Sequence, residues 1–259
     1  MIGAIAGDIV GSAYEFDSIK TKDFPLFGPS SHYTDDTVLT VAVAGAILTD
    51  GDYRRTVLDH GRRYRGASYG SAFAAWLDAH DPKPYNSWGN GAAMRVGPVG
   101  FAFDSAEDVL REAALTAEFT HDHPEGIKGA QATALAVFLA RTTRDKEMIR
   151  REIASRFGYD LGRTVDGIRP GYAFDESCQG TVPEAIVAFL DASSWEDAVR
   201  NAVSLGGDAD TLACIAGGIA EAFYGPSSIA PEVRAEVRKR LPKELWEVVG
   251  SFCGRFCRT

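Results

Sequence analysis

The apolar positions of this chain recur at helical spacing almost from end to end. Val38, Leu39, Ala42, Val43, Ala46 and Ile47 share one stripe, and Val182, Ala185, Ile186, Phe189 and Leu190 a second. Leu212, Ile215, Ala216, Ile219, Ala220 and Phe223 form a third, since residues three and four apart fall on one helix face. Polar punctuation sits at the ends of such runs. Ser105-x-x-Asp108, Thr181-x-x-Glu184 and Ser194-x-x-Asp197 have the form of capping boxes, and Pro183 falls in an early turn, where an imide nitrogen is tolerated. Gly51, Gly158 and Gly225-Pro226 supply stops. No segment alternates with period two around a hairpin turn. Pro82-Lys83-Pro84 and Arg169-Pro170-Gly171 are too brief, and too closely flanked by aromatic residues, to be domain linkers. The pattern predicts an all-α fold, one compact multi-helix domain over residues 1–259 with about a dozen helices.

Alanine and glycine crowd several of these helices, as in Gly3-Ala4-Ile5-Ala6-Gly7 and Ala213 to Ala222. Small residues let helix axes approach, although an interior glycine costs about 1 kcal/mol against alanine. Gly206-Gly207 before Asp208 and Gly89-Asn90-Gly91 before Ala92 differ, placing pliant backbone at a helix start, where free amides receive anions.

Composition narrows the picture. A hydrophobic fraction of 45% supports a substantial core, and a formal net charge of −9 argues against sequence-independent binding to a nucleic-acid backbone. Met1 to Ile9 lacks a basic leader region and is interrupted by Asp8, so it does not read as a secretory signal, and no apolar run approaches the length of a membrane span. Cys178, Cys214, Cys253 and Cys257 have no zinc-ribbon spacing and read as reduced structural thiols. A cytoplasmic monomer without membrane partners is the expectation.

The chemistry gathers in two distant clusters, Thr34-Asp35-Asp36-Thr37 and Gly206-Gly207-Asp208-Ala209-Asp210-Thr211. Either alone reads as helix capping, since Asp and Thr are favoured caps. Together they make an oxygen-rich set of the kind that binds Mg²⁺ or Mn²⁺, because carboxylates gathered in a dry place need a cation or protons to neutralise them. Asp8 lies in a helix of small residues. Glu15 reads either as an exposed helix-terminal residue or as a group that contacts substrate or activates water. Asn90 and the backbone around Gly91 suit ribose or phosphate oxygens, while Arg95 reads as a partner in an internal ion pair. Tyr69-Gly70 and Tyr85 offer faces for a base. In Thr120-His121-Asp122-His123-Pro124 the zinc reading lacks partner ligands; contact with a ligand, or a cap for the helix starting near Pro124, fits better. No nucleophile elbow or Walker loop is present. Residue chemistry alone therefore reaches a metal-dependent hydrolytic or binding site for a hydroxylated ligand.

The ordered segments GDIVGSAYE, YTDDT, SYGSAFAAWL, NSWGNGAAMRVGPVG, THDHPEGIKGAQATA and SLGGDADTLACIAG resemble the ADP-ribosylglycohydrolase family, which includes dinitrogenase reductase-activating glycohydrolase and the ADP-ribosylarginine hydrolases. The resemblance implies an all-α fold with two Mg²⁺ or Mn²⁺ ions at the base of a cleft. It implies Thr34, Asp35, Asp36, Asp208, Asp210 and Thr211 as metal ligands, with Glu15 a mobile glutamate near the scissile sugar. Asn90, Gly91, Tyr69, Gly70 and His121 would meet the ADP-ribose. Glu15, Asp36 and Asp208 are then the candidates for proton transfer. The implied reaction is hydrolysis of the glycosidic bond between ADP-ribose and a protein side chain, expected to be arginine. Other ADP-ribose conjugates, a small metabolite or nucleic acid among them, and a non-catalytic ADP-ribose binder are the alternatives. Leu212 stands where many members carry Asn, a change that leaves every oxygen ligand in place.

Overall fold

The computed structural model describes residues 1–257; the last two residues of the expected domain lie outside them. From the N-terminus the helices are α1 (Ile2–Gly11), α2 (Asp35–Leu48), α3 (Tyr53–Arg63), α4 (Ser71–Asp78) and α5 (Gly91–Arg95). Then follow α6 (Gly97–Ala102), α7 (Ala106–Ala117), α8 (Pro124–Thr143), α9 (Lys146–Phe157) and α10 (Val165–Ile168). The chain closes with α11 (Cys178–Leu190), α12 (Trp195–Ser204), α13 (Ala209–Tyr224), α14 (Pro231–Arg240) and α15 (Lys243–Phe256). No strand occurs among the described residues, only an isolated antiparallel bridge between Gly89 and Ser177. The all-α expectation holds, and one continuous apolar core unites the helices. No described helix is long and apolar enough to cross a membrane.

The extra elements beyond a dozen are short: α5 and α6 sit in the glycine-rich stretch, and α10 spans a single turn, too brief for periodicity to register. The stripes also widen in three dimensions. Along α13 every residue from Ala209 to Ala222 is buried, and α2 and α11 are buried on nearly all sides. These are central helices, so apolar spacing understated their burial.

Ser105 and Ser194 cap α7 and α12 as expected, accepting from the Asp108 and Asp197 amides at 3.0 and 3.1 Å. The expectation for Thr181 is corrected. Ser177 caps α11, accepting from the Gly180 amide at 3.0 Å, which puts Thr181 a turn inside the helix and Pro183 in its interior. Ser177 wins because its own amide is held by the Asp175 carboxylate at 2.8 Å, setting the turn before the helix. The Gly51, Gly158 and Gly225 stops all adopt positive φ.

One helix pair positions the site. Gly3, Gly7 and Gly11 on α1 face Gly217, Ala213 and Ala209 on α13, and a Cβ on Gly7 would overlap the Ala213 carbonyl. Only backbone-to-backbone contact fits here. It brings Asp8 within electrostatic reach of Asp210 in the first turn of α13.

Candidate active site

Asp8 is fully buried and organises the first acidic cluster. Its Oδ2 accepts from the Thr34 and Thr37 amides, each at 3.1 Å, and from the Thr37 hydroxyl, while Oδ1 accepts from the Thr34 hydroxyl at 2.8 Å. Thr34 in turn caps α2, its oxygen accepting from the Asp36 amide at 3.3 Å. The α1–α13 contact and this network hold the start of α2 against the start of α13. There Thr211 Oγ1 donates to Asp36 Oδ1 at 3.3 Å, across 175 residues of sequence. The two acidic clusters meet.

The second cluster is not spent on capping. Asp208 occupies the N-cap position of α13, yet its carboxylate makes no cap hydrogen bond. Its Oδ2 instead accepts from Asn90 Nδ2 at 2.7 Å, and the same amide donates to Thr181 Oγ1 at 3.0 Å. The Asp210 carboxylate accepts the Thr211 amide at 2.9 Å. Oxygen atoms of Glu15, Asp208 and Asp210 lie within 4.8 Å of one another. Glu15, which composition alone left as a solvent-exposed end, is thus a half-buried member of the cluster.

The electrostatics follow from crowding. Burial, with Asp210 beside it, pushes Asp8 up to about 7, and burial with Asp210 and Asp8 raises Glu15 to about 8. Asp35, Asp36 and Asp208 are likewise held well above the ordinary carboxylate range, first by burial and then by Asp210. Asp36 Oδ2 is buried with no hydrogen-bond partner. A buried acceptor of this kind is costly to leave unmade, and together with a ring of oxygen donors it fits hard divalent cations.

These groups floor a cavity of about 530 Å³, of a size that suits a small-molecule ligand. Asp35, Asp36, Asp208, Asp210, Thr211 and Glu15 line it, as do Tyr69, Gly70, Asn90, Gly91 and His121. Thr34 is fully buried, its hydroxyl engaged with Asp8 and the Asp36 amide. A depression of about 600 Å³ beside α10 is slightly larger, but its charges, Arg163 and Glu184, satisfy each other in a bidentate pair at 2.8 Å.

His121 is buried and held neutral by burial and the nearby Arg95, with Nδ1 2.8 Å from Thr120 Oγ1. The capping role falls to its neighbour: His123 Nδ1 accepts the Glu125 amide at 3.1 Å, starting α8. Tyr69 presents a phenol oxygen without a partner. Arg95 is a correction, since among the described residues no carboxylate pairs with it. Its fully buried guanidinium donates to Thr116 O at 2.7 Å and Thr120 Oγ1 at 2.8 Å, and lies 5.0 Å over the Phe119 ring. Burial draws it down to about 10. Aromatic and carbonyl contacts within reach replace the expected ion pair.

The sequence placed Thr37 in the first cluster without a partner, made Thr181 a cap, and gave Lys20 no role, whereas Thr37 donates to Asp8 and Thr181 accepts from Asn90. Lys20 Nζ donates to the Tyr172 carbonyl at 2.5 Å and to that of Leu205, tying the Glu15 segment to the approach to Asp208. Nothing in its local sequence announces this. Asp8 did carry a signal, a carboxylate amid small apolar residues with no nearby counter-charge.

The fold is a helical body whose polar cavity is floored by carboxylates from two helix starts. The ADP-ribosylglycohydrolase family model matches residues 1–258, and the chain belongs to this family. It is 27% identical to ADP-ribosylhydrolase ARH3 of Homo sapiens, covering 88% of this chain and 85% of that protein. It is also 27% identical to ADP-ribosylarginine hydrolase Tri1 of Pseudomonas putida (strain GB-1), over 95% of this chain and 76% of that protein. A solved structure described as an ADP-ribosylglycohydrolase-related protein complex superposes with a TM-score of 0.72 at 26% identity, over 92% of this chain and 94% of that one.

Proposed function

We propose that this chain hydrolyses the glycosidic bond between ADP-ribose and a protein side chain, arginine in the first instance, with the help of two divalent cations. The observation that carries the reading is the Thr211–Asp36 contact, which joins both acidic clusters on the floor of one ligand-sized cavity. The names of the relatives support the reaction class, and Tri1's supports the arginine linkage.

Asp35, Asp36, Asp208, Asp210 and Thr211 would hold the cations, with Thr34 offering the lone pair that its hydrogen bonds leave free. When bound, Mg²⁺ or Mn²⁺ would neutralise these acids and supply a Lewis acid to the sugar. The remaining chemistry belongs to the chain. Asn90 orients Asp208 by its amide, and Asp8 fixes the backbone on which Asp35 and Asp36 stand. Glu15, half-buried beside Asp208 and Asp210, would give a proton to the departing atom as the C1–N or C1–O bond breaks. A water oxygen forms the new bond to C1, and its proton passes to Asp36 or Asp208. Carboxylates around the sugar stabilise the developing oxocarbenium charge.

The test is a turnover panel of arginine-linked and serine-linked ADP-ribosyl peptides, with Mg²⁺, with Mn²⁺ and with chelator. Release of ADP-ribose that chelator abolishes is expected, and Glu15→Gln should lower kcat by about 10²–10³-fold while ADP-ribose binding persists. Cation-replete protein that releases nothing from any linkage overturns the reading.

A further inference from the structure

Two phenyl rings stand in solvent at the mouth of the cavity. Phe16 is 85% exposed and Phe174 50%, yet they face each other at 6.4 Å between centroids with planes 24° apart. Both line the same cavity as Glu15, Asp208 and Asp210. Phe16 directly follows Glu15, and Phe174 lies two residues before Glu176, whose carbonyl accepts the Asn90 amide at 2.8 Å. The backbone that carries the two rings is tied together behind them. Lys20, on the Phe16 segment, donates to Tyr172 O on the Phe174 segment, so the two strips of backbone are tied across the lip.

Exposed apolar rings that border a polar cavity mark a contact surface rather than core material. The charge around them says which contact. With the floor acids committed to cations or protons, the exposed Glu176, two residues from Phe174, is the free carboxylate of the lining, and the lining's one cation, Arg95, donates to Thr116 and Thr120 and lies over Phe119. Aromatic faces beside an exposed carboxylate suit a planar cation, and guanidinium stacks on such faces. A serine-linked conjugate presents a neutral oxygen at this point and gains nothing from the rings.

We propose that Phe16 and Phe174 select the leaving group, their ring pair receiving the guanidinium of arginine-linked ADP-ribose. This rests on the hydrolase reading above and names the residues that set its linkage preference. Phe16→Ala, Phe174→Ala and the double variant remove exposed rings only, and each should melt with the wild type. The double variant should lose about five- to tenfold in kcat/KM on an arginine-linked ADP-ribosyl peptide. It should stay within about twofold on the serine-linked peptide and keep its affinity for free ADP-ribose by calorimetry. An unchanged ratio between the two linkages overturns the inference, as does a parallel loss of ADP-ribose affinity, which would make the rings part of the nucleotide site. A wild type that turns over neither peptide sinks the hydrolase reading alone. Calorimetry with the two intact peptides then decides the inference: selective weakening of the arginine-linked peptide in the double variant supports it, and equal weakening or none refutes it.

Discussion

Asp8 offers the sharpest test of how the site is built. Four donors converge on one buried carboxyl group: two backbone amides and two hydroxyls, from Thr34 and Thr37. Asp8→Ala strands all four, and each orphaned buried donor costs about 1–3 kcal/mol. Water entering the space left behind would recover part of this, so the lower end is the working figure, about 4 kcal/mol in all. Asp8→Asn should behave differently. Oδ2 takes three of the four bonds and Oδ1 only the Thr34 hydroxyl, which can rotate to accept from an amide NH₂ in that place. At pH 6, below the raised value of about 7, the acid is largely protonated and Asn is its near isostere. The loss for Asp8→Asn should stay below about 1.5 kcal/mol. Urea denaturation at pH 6 separates the two, provided m is unchanged, and in a chain of this size the Asp8→Ala variant should melt on the order of 10 °C lower. An Asp8→Ala variant within about 1.5 kcal/mol of wild type, or an Asp8→Asn variant just as damaged, refutes the claim that Asp8 is the organiser.

Asp8 and Glu15 have folded-state values near 7 and 8 against ordinary values of 3.8 and 4.5, so without cations the folded chain holds more protons than the unfolded one between them. Their stabilising contribution is complete at low pH and is lost as pH rises through about 7 to 8, so melting in chelator should fall from pH 5 to pH 8. Mg²⁺ or Mn²⁺ should raise the melting temperature more at pH 8 than at pH 5, and Asp36→Asn should remove most of that rise; a cation-independent melt at pH 8 refutes the metal reading. Lys20→Met should lower kcat about tenfold with little change in melting temperature, and Lys20→Arg should restore part of it, because the bond positions the Glu15 segment without supporting the core. Gly7→Ala should cost about 3 kcal/mol or more, or abolish soluble expression, because its methyl group meets the Ala213 backbone; a Gly7→Ala variant of wild-type stability would show that α1 and α13 are not in rigid contact.

The helical architecture was legible because apolar spacing and most cap and stop residues agree, as at Ser105, Ser194 and Gly158. Thr181 misled because a hydroxyl three residues before a glutamate looks the same whether it caps a helix or reaches sideways to Asn90. The acid clusters and their joint use were legible, but the means that brings them together, α1 lying flat on α13, was not. Arg95 was misread for a related reason. A guanidinium implies a carboxylate partner only when one lies within reach, and sequence does not say what lies within reach. Lys20 was illegible altogether, because its acceptors are carbonyl oxygens, which every residue carries.

The floor and the lip of the cavity are held by different kinds of force. The floor rests on helix backbones in direct contact and on a buried acid saturated by donors, so its carboxylates can move little relative to one another. The lip is loop, residues 12–34 and 169–177, anchored by a few bonds between Lys20, Arg200 or Ser177 and backbone groups. Substitutions of the exposed rings there, Phe16 and Phe174, disturb few buried contacts and spare Asp36 and Asp208 below. A chain so built can change which leaving group it admits without rebuilding the place where the sugar is held. Phe16 and Phe174 stand on the part that is free to vary, and Asp36 and Asp208 on the part that is not.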